Sequence, residues 1–249
     1  MALKDLSGRT ALVTGGSNGI GAATVRALAE AGARVIVGYN AGKHRAQHLC
    51  DTIPGSGHGI ARLPLEDPAA IRSAIAALQP GTSKLDILVN SAGFTEPIAH
   101  GDFETLDDAT FERILVANAR GPYSVIRAAL PLLRGSEDAV IVNVSSISAF
   151  TGSGSNIAYC AAKAALDTMG VSLARVLGPK IRVVTVSPAA VATDFVAGRG
   201  REALEKIAQA TPLKRMTEAA DVADAIMASI THLRTMTGAR VIIDAGRHL

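Results

Sequence analysis

The chain has 249 residues, of which 48% are hydrophobic and 19% charged, with a mean hydropathy of +0.27; this supports a sizeable buried core and excludes intrinsic disorder. Its 25 basic and 22 acidic residues leave a formal charge of only +3, dispersed along the sequence, and aromatic residues make up 3% with no tryptophan. Neither an electrostatic footprint for nucleic acid nor a base-stacking surface is therefore expected. Lys4, Asp5 and Arg9 precede any apolar stretch, and no apolar run reaches the roughly 18 residues of a membrane span, so neither a signal peptide nor a membrane segment is expected. Cys50 and Cys160 give no disulfide framework and no paired metal spacing, which points to a reducing cytoplasm.

Short β-branched runs alternate with longer helical patterns, the order that builds βαβ units around a parallel sheet. Strand Thr10–Thr14 leads to helix Ile20–Ala31, closed by Gly32; strand Arg34–Gly38 leads to helix Ala41–Thr52. Strand Gly59–Leu63 is followed by helix Asp67–Leu78, which Asp67 caps and Pro68 opens, and strand Ile87–Asn90 by one long helix over Asp107–Leu133. Strand Ala139–Ser145 then precedes helix Ile157–Leu177, and strand Arg182–Ser187 precedes helices Glu202–Gln209 and Ala219–Thr231, before the last strand, Arg240–Ile243. The near-continuous Val, Ile and Leu content of these strands suits a sheet covered on both faces. No linker divides the chain. The reading is an α/β fold: one doubly wound, Rossmann-like domain over residues 1–249, with a seven-stranded, mainly parallel sheet flanked by helices.

The first strand runs into Thr14-Gly15-Gly16-Ser17-Asn18-Gly19-Ile20-Gly21, where a helix opens. Glycines between a strand and a helix let backbone N–H groups and the positive helix end approach a pyrophosphate. Gly15 suits the tight turn, while Gly19 and Gly21 remove Cβ atoms that would block the phosphate or the helix–strand contact. Tyr159 and Lys163 lie four apart on a predicted helix and so share one face. A tyrosine, with an ordinary pKa of about 10, works as a proton donor and acceptor near neutrality only if a cation favours the phenolate, and Lys163 supplies one.

The T-G-x-x-x-G-x-G spacing resembles that of the short-chain dehydrogenase/reductase family, and the resemblance covers almost the whole chain. Asn90-Ser91-Ala92-Gly93 looks like the family's N-N-A-G turn with Ser91 in place of the second Asn. Tyr159-Cys160-Ala161-Ala162-Lys163 looks like its Y-x-x-x-K motif, Ser146 lies at the family's usual interval of thirteen residues before Tyr159, and Asn118 matches its helical Asn. The resemblance implies a catalytic group of Asn118, Ser146, Tyr159 and Lys163. In it Ser146 binds the substrate oxygen, Lys163 also holds the nicotinamide ribose, and Asn118 keeps a water linking Lys163 to solvent. The interval selects Ser146 over Ser145, with Ser148 as a lesser candidate for substrate contact. The implied cofactor-binding residues are Gly15, Ser17, Asn18, Gly19, Ile20, Gly21, Tyr39, Asn40, Lys43, Leu65, Asn90, Ala92, Gly93, Tyr159, Lys163, Pro188, Val191 and Thr193.

An acidic residue closing the second strand would bind a ribose 2′-OH; here Tyr39 occupies that place, and Asn40, Lys43, His44 and Arg45 offer donors instead. NADP(H) is favoured over NAD(H), which the motifs leave open. Pro64 stands where many family members place an adenine-binding Asp, leaving the backbone of Leu65 for that contact. Ala189 replaces a glycine in the P-G-x-V-x-T segment, which is expected to constrain the backbone near the nicotinamide.

His44, His48 and Cys50 invite a metal reading, but Cys50 faces elsewhere on a helix and no fourth ligand is evident, so no metal is expected. Cys160 reads as a packing residue. The reaction implied is reversible reduction of a ketone or aldehyde to an alcohol, with Tyr159 as proton donor and acceptor. A 3-oxoacyl-thioester reductase and a non-catalytic nicotinamide-nucleotide-binding protein are the alternatives. Phe94, Phe150, Phe195 and a loop from about Ala189 to Met216 are expected to shape the substrate pocket. The resemblance also implies a homotetramer packed through the helices Asp107–Leu133 and Ile157–Leu177.

Overall fold

A computed structural model describes residues 5–198 and 200–249. Seven strands form one sheet in the order β3-β2-β1-β4-β5-β6-β7, and every neighbouring pair is parallel. They are β1 (Thr10–Thr14), β2 (Arg34–Tyr39), β3 (Gly59–Arg62), β4 (Ile87–Asn90), β5 (Ala139–Val144), β6 (Ile181–Pro188) and β7 (Arg240–Ile243). The helices are α1 (Gly19–Glu30), α2 (Lys43–Thr52), α3 (Pro68–Leu78), α4 (Asp108–Leu115), α5 (Gly121–Arg134), α6 (Ser148–Thr151), α7 (Ile157–Leu177), α8 (Arg201–Gln209) and α9 (Ala219–Thr231).

Alternation along each strand sorts the core into two layers. Ala11, Val13, Val35, Val37, Val142 and Val186 pack on one face against Val25 and Leu28 of α1, Leu49 of α2 and Ile226 and Ile230 of α9. Leu12, Ile36, Leu88, Ile141 and Val183 pack on the other against Ile71 and Ile75 of α3, Val125, Ala129 and Leu133 of α5 and Ala174 of α7. Both faces are covered, which is why the strand sequences are apolar throughout rather than alternating with polar residues. The strand order reverses between β1 and β4, and the crevice at the carboxyl ends of those strands is where a doubly wound sheet accepts a ligand.

Three expectations about the elements change. The single helix over Asp107–Leu133 is two helices joined by a π-helical turn, Val116–Arg120, which carries Asn118. The wider turn displaces Asn118 from the regular ladder so that its amide reaches the neighbouring loop. The second helix starts at Lys43 rather than Ala41, with Gly42 as its N-cap. The connection after β5 contains a four-residue helix, Ser148–Thr151, that short apolar periodicity does not reveal. Helix α7 has the bounds expected of it, because Asn156 supplies a side-chain cap, accepting the Tyr159 N–H at 2.7 Å.

Candidate active site

A cleft of about 680 Å3 opens at the carboxyl ends of the strands. Its floor is built by the glycine loop. Gly15 (φ 64°) and Gly19 (φ 51°) adopt left-handed conformations, and a Cβ on Gly15 would stand 2.9 Å from Cα of Ala92. At Gly21 an added Cβ would come within 2.3 Å of the Gly15 carbonyl oxygen, so helix α1 can start this close to the loop only with glycine there. Asn18 caps α1, its side chain accepting the Gly19 N–H at 2.9 Å. The buried Thr14 hydroxyl accepts the N–H groups of Ser91 and Ala92, both at 3.1 Å, tying the glycine loop to the turn after β4.

The group expected to be catalytic is gathered by β5, α7 and the π-helical turn. Lys163 is buried and its Nζ donates to the Val144 carbonyl at 2.9 Å, 5.6 Å from the centre of the Tyr159 ring. Burial pushes its ammonium down to about 8, with the Asp167 carboxylate one turn further along α7 opposing the shift; at neutral pH the side chain stays cationic. Asp167 in turn pairs with Arg240 of β7 at 2.5 Å, and burial pushes its own carboxyl up. The Ser146 hydroxyl lies 3.1 Å from that of Ser148 and accepts the Ser148 N–H, whereas Ser145 turns its hydroxyl to the Lys163 carbonyl. Asn118 is buried and donates to the carbonyls of Phe94 (2.6 Å) and Ile114 (2.9 Å); its Oδ1 has no partner among the described residues. Gly93 leaves room for that oxygen, since a Cβ there would stand 2.6 Å from it.

Of the residues expected around a dinucleotide, Gly15, Ser17, Asn18, Gly19, Ile20, Tyr39, Asn40, Leu65, Ala92, Gly93, Pro188, Val191 and Thr193 line this cleft together with Ser146, Tyr159 and Lys163. Gly21, Asn90 and Asn118 lie just behind its wall: Asn90 is buried and donates to Oδ1 of Asn143 at 2.9 Å. Lys43 does not line it. Its neighbour Arg45 does, folding back so that a Cβ on Gly42 would stand 2.7 Å from its guanidinium and 3.0 Å from the Ser17 hydroxyl. Helix α2 begins at Lys43, so a residue two positions on faces the loop while Lys43 faces solvent. Phe150 is a second correction. Phe94 and Phe195 line the cleft, with Phe195 5.9 Å from the Tyr159 ring, but Phe150 packs instead under Arg240 (4.6 Å) and beside His248 (5.8 Å). Ala189 is not in a positive-φ conformation, so the expected backbone constraint is relieved; its N–H donates to the Ile243 carbonyl at 3.1 Å.

Sequence reasoning missed Thr14, Asn143 and Asn156, whose polar side chains hold the cleft's loops from behind. Asn156 was legible as a polar residue just before an apolar helical run. It also donates to the Glu96 carbonyl at 2.7 Å, fixing the turn that carries Tyr159 against the loop after β4. Among the described residues no three His, Cys, Asp or Glu side chains gather as a metal site, and no helix is long and apolar enough to cross a membrane.

The glycine cradle and the capped helix start fit a bound dinucleotide. Residues 15–248 match the family model described as enoyl-(acyl carrier protein) reductase. The chain belongs to the short-chain dehydrogenase/reductase family. It is 30% identical over 246 residues to the 3-oxoacyl-(acyl-carrier-protein) reductase of Aquifex aeolicus, covering 97% of this chain and 98% of that one. It is also 30% identical over 245 residues to the 2,5-dichloro-2,5-cyclohexadiene-1,4-diol dehydrogenase of Sphingobium indicum, covering 97% and 96%. Among solved structures, the angucycline C-6 ketoreductase LanV with bound NADP superposes with a TM-score of 0.88 at 29% identity, over 98% of this chain and 97% of that one. Members of this family are oxidoreductases built on a nicotinamide cofactor and a Rossmann-like sheet.

Proposed function

We propose that the chain is an NADP(H)-dependent oxidoreductase that interconverts a ketone or aldehyde and the corresponding alcohol, with one domain holding both cofactor and substrate. The observation that carries this reading is the placement of buried Lys163 beside the Tyr159 ring, in the same cleft as the glycine loop.

Gly15, Asn18, Gly19 and the start of α1 would hold the pyrophosphate, Ala92 and Gly93 the region between the two nucleotides, and Pro188, Val191 and Thr193 the carboxamide. A bound nicotinamide supplies hydride to the carbonyl carbon, or takes it back in the reverse direction. Tyr159 gives its phenolic proton to the carbonyl oxygen as the C=O bond becomes C–OH. The Lys163 cation stabilises the phenolate left behind, lowering the cost of losing that proton. Ser146, held by the Ser148 N–H, orients the carbonyl oxygen toward Tyr159. Asn118 Oδ1 offers a fixed acceptor for the water that returns a proton through Lys163.

Support for NADP(H) over NAD(H) comes from the end of β2, where Tyr39 and Asn40 line the cleft without a carboxylate and Arg45 folds toward Ser17. A guanidinium there favours a 2′-phosphate. Similarity to the Aquifex reductase favours a 3-oxoacyl thioester as the second substrate reading. The exposed apolar residues Tyr123 on α5 and Val171 and Val176 on α7 support a homotetramer packed through those helices. The free cysteines accord with a cytoplasmic setting. The test is to titrate NADPH and NADH by fluorescence and follow NADPH consumption with a panel of ketones, diketones and acyl thioesters. Tighter NADPH binding and turnover of at least one carbonyl are expected. Bound NADPH with no consumption by any of them overturns the reductase reading.

A further inference from the structure

The sheet lays out the cleft in order. The β3 and β2 edge brings Glu66 and Arg45, β1 brings the glycine loop, β5 and α7 bring Ser146, Tyr159 and Lys163, and the opposite edge is β7. Beyond β7 the chain turns back, and Arg247 lines the cleft from that side. No ion pair or side-chain hydrogen bond occupies its guanidinium among the described residues. Asp244, the nearest acid along the chain, is already committed. It accepts the N–H groups of Gly246 and His248, both at 2.9 Å, and holds the His248 ring at 2.6 Å.

The turn that carries Arg247 is restrained on every side. Ala245 has φ 54°, a left-handed conformation rare for a residue with a Cβ. Gly246 (φ 84°) packs so closely on Pro212 that an added Cβ would stand 2.7 Å from Pro212 Cγ. His248 meets the edge of Phe150, which Arg240 covers. A backbone held in a sparsely populated region by several independent contacts is the kind of base on which a binding group is fixed. The facing wall, from the β5–α7 connection, presents Ser148, Thr151, Ser153 and Ser155; the Thr151 hydroxyl donates to the Ile147 carbonyl and the Ser155 hydroxyl pairs with that of Thr95, which leaves Ser148 and Ser153 for a ligand. The single carboxylate among the described lining residues is Glu66, at the far edge of the sheet. The substrate end thus combines one unpaired guanidinium, the two hydroxyl residues Ser148 and Ser153 and no acid, a lining complementary to an oxyanion.

We propose that Arg247 binds an anionic group, a carboxylate or a phosphate, carried by the carbonyl substrate, and so selects oxoacids or phosphorylated ketones over their neutral counterparts. This rests on the reductase reading for where the carbonyl sits. The measurement is therefore equilibrium binding by calorimetry to the protein loaded with NADP+, which has no hydride to give a carbonyl, with NADPH consumption read separately. The probes are a series of oxoacids of increasing chain length with their methyl esters, and dihydroxyacetone phosphate with dihydroxyacetone. The wild type is expected to bind at least one anion roughly tenfold more tightly than its neutral partner, the fold-change that one charge-assisted contact provides. Arg247→Ala should abolish that preference while leaving affinity for the neutral partner and for NADPH unchanged, and Arg247→Lys should keep part of it. A preference among oxoacids alone assigns a carboxylate, and one for the phosphate alone assigns a phosphate. Equal affinity for anion and neutral partner across all pairs, or a preference that survives Arg247→Ala, overturns the proposal. Anion preference without NADPH consumption overturns the reductase reading instead.

Discussion

Replacing Lys163 by Met separates what the residue does for the reaction from what it costs the fold. Its ammonium is fully enclosed and its pKa drops from 10.5 to about 8, a difference equivalent to about 3 kcal/mol of destabilisation while the group is charged. Methionine fills a similar volume without the charge but leaves the Val144 carbonyl without its donor, which costs about 1–2 kcal/mol. At pH 7 the variant should therefore be more stable by about 1–2 kcal/mol, or roughly 2–8 °C in Tm for a chain of this size. The sign reverses with pH. Between pH 8 and 10.5 the unfolded chain keeps its lysine proton while the native chain has released it, so wild-type stability rises across that window and the penalty disappears. The variant, lacking the bond to Val144, then becomes the less stable of the two. Thermal melts of both proteins by circular dichroism from pH 6.5 to 10 read this directly. A Tm difference that stays flat across the window, or a wild type more stable at pH 7, refutes the account of Lys163 as a buried charge held at the fold's expense.

Other substitutions probe the cleft. Gly21→Ala places a Cβ 2.3 Å from the Gly15 carbonyl oxygen, so a loss of NADPH affinity of at least about tenfold is expected by fluorescence titration; unchanged affinity would show that the loop does not hold the pyrophosphate. Asn156→Ala removes the cap that accepts the Tyr159 N–H and should cost about 1–2 kcal/mol in urea unfolding, with turnover falling because the start of α7 frays. Arg45→Glu should reduce or reverse a preference for NADPH over NADH, read as the ratio of the two dissociation constants; an unaltered ratio would remove Arg45 from cofactor selection.

The parallel sheet and the helices covering it were legible because the strands are short apolar runs and several helices are punctuated, the first by Gly32 after it and the third by Asp67 and Pro68 at its start. Helix α7 was found at its observed bounds, Ile157–Leu177, from its apolar spacing and the Pro179 that follows it, although its cap, Asn156, was not. The glycine loop was legible for a related reason: glycine takes the left-handed φ of Gly15 and Gly19 without the strain a Cβ brings, and only glycine permits the approach of Gly21 to Gly15. What escaped the sequence depends on phase and on tertiary contact. The turn at Val116–Arg120 breaks no pattern of apolar spacing, since Ile114 and Val125 stay buried on either side of it. The helix after β2 begins two residues later than its polarity suggests, which moves Lys43 out of the cleft and brings Arg45 in. Phe150 is drawn away from the substrate by Arg240, ninety residues further along the chain, a contact that local periodicity cannot carry. Arg247 follows the last strand with nothing in its sequence neighbourhood to mark it; its place in the cleft comes from the turn pinned on Asp244.

The central claim is that Tyr159 delivers the proton while the rest of the cleft binds and orients. The most direct measurement is single turnover of the NADPH-loaded protein with its best carbonyl substrate, compared between wild type and Tyr159→Phe, together with the dissociation constant of NADPH for each. Phenylalanine keeps the ring against Phe195 and beneath Lys163 and removes only the hydroxyl. A rate at least about a hundredfold lower with NADPH affinity unchanged is the expected result. Equal rates in the two proteins would contradict it and take Tyr159 out of the mechanism.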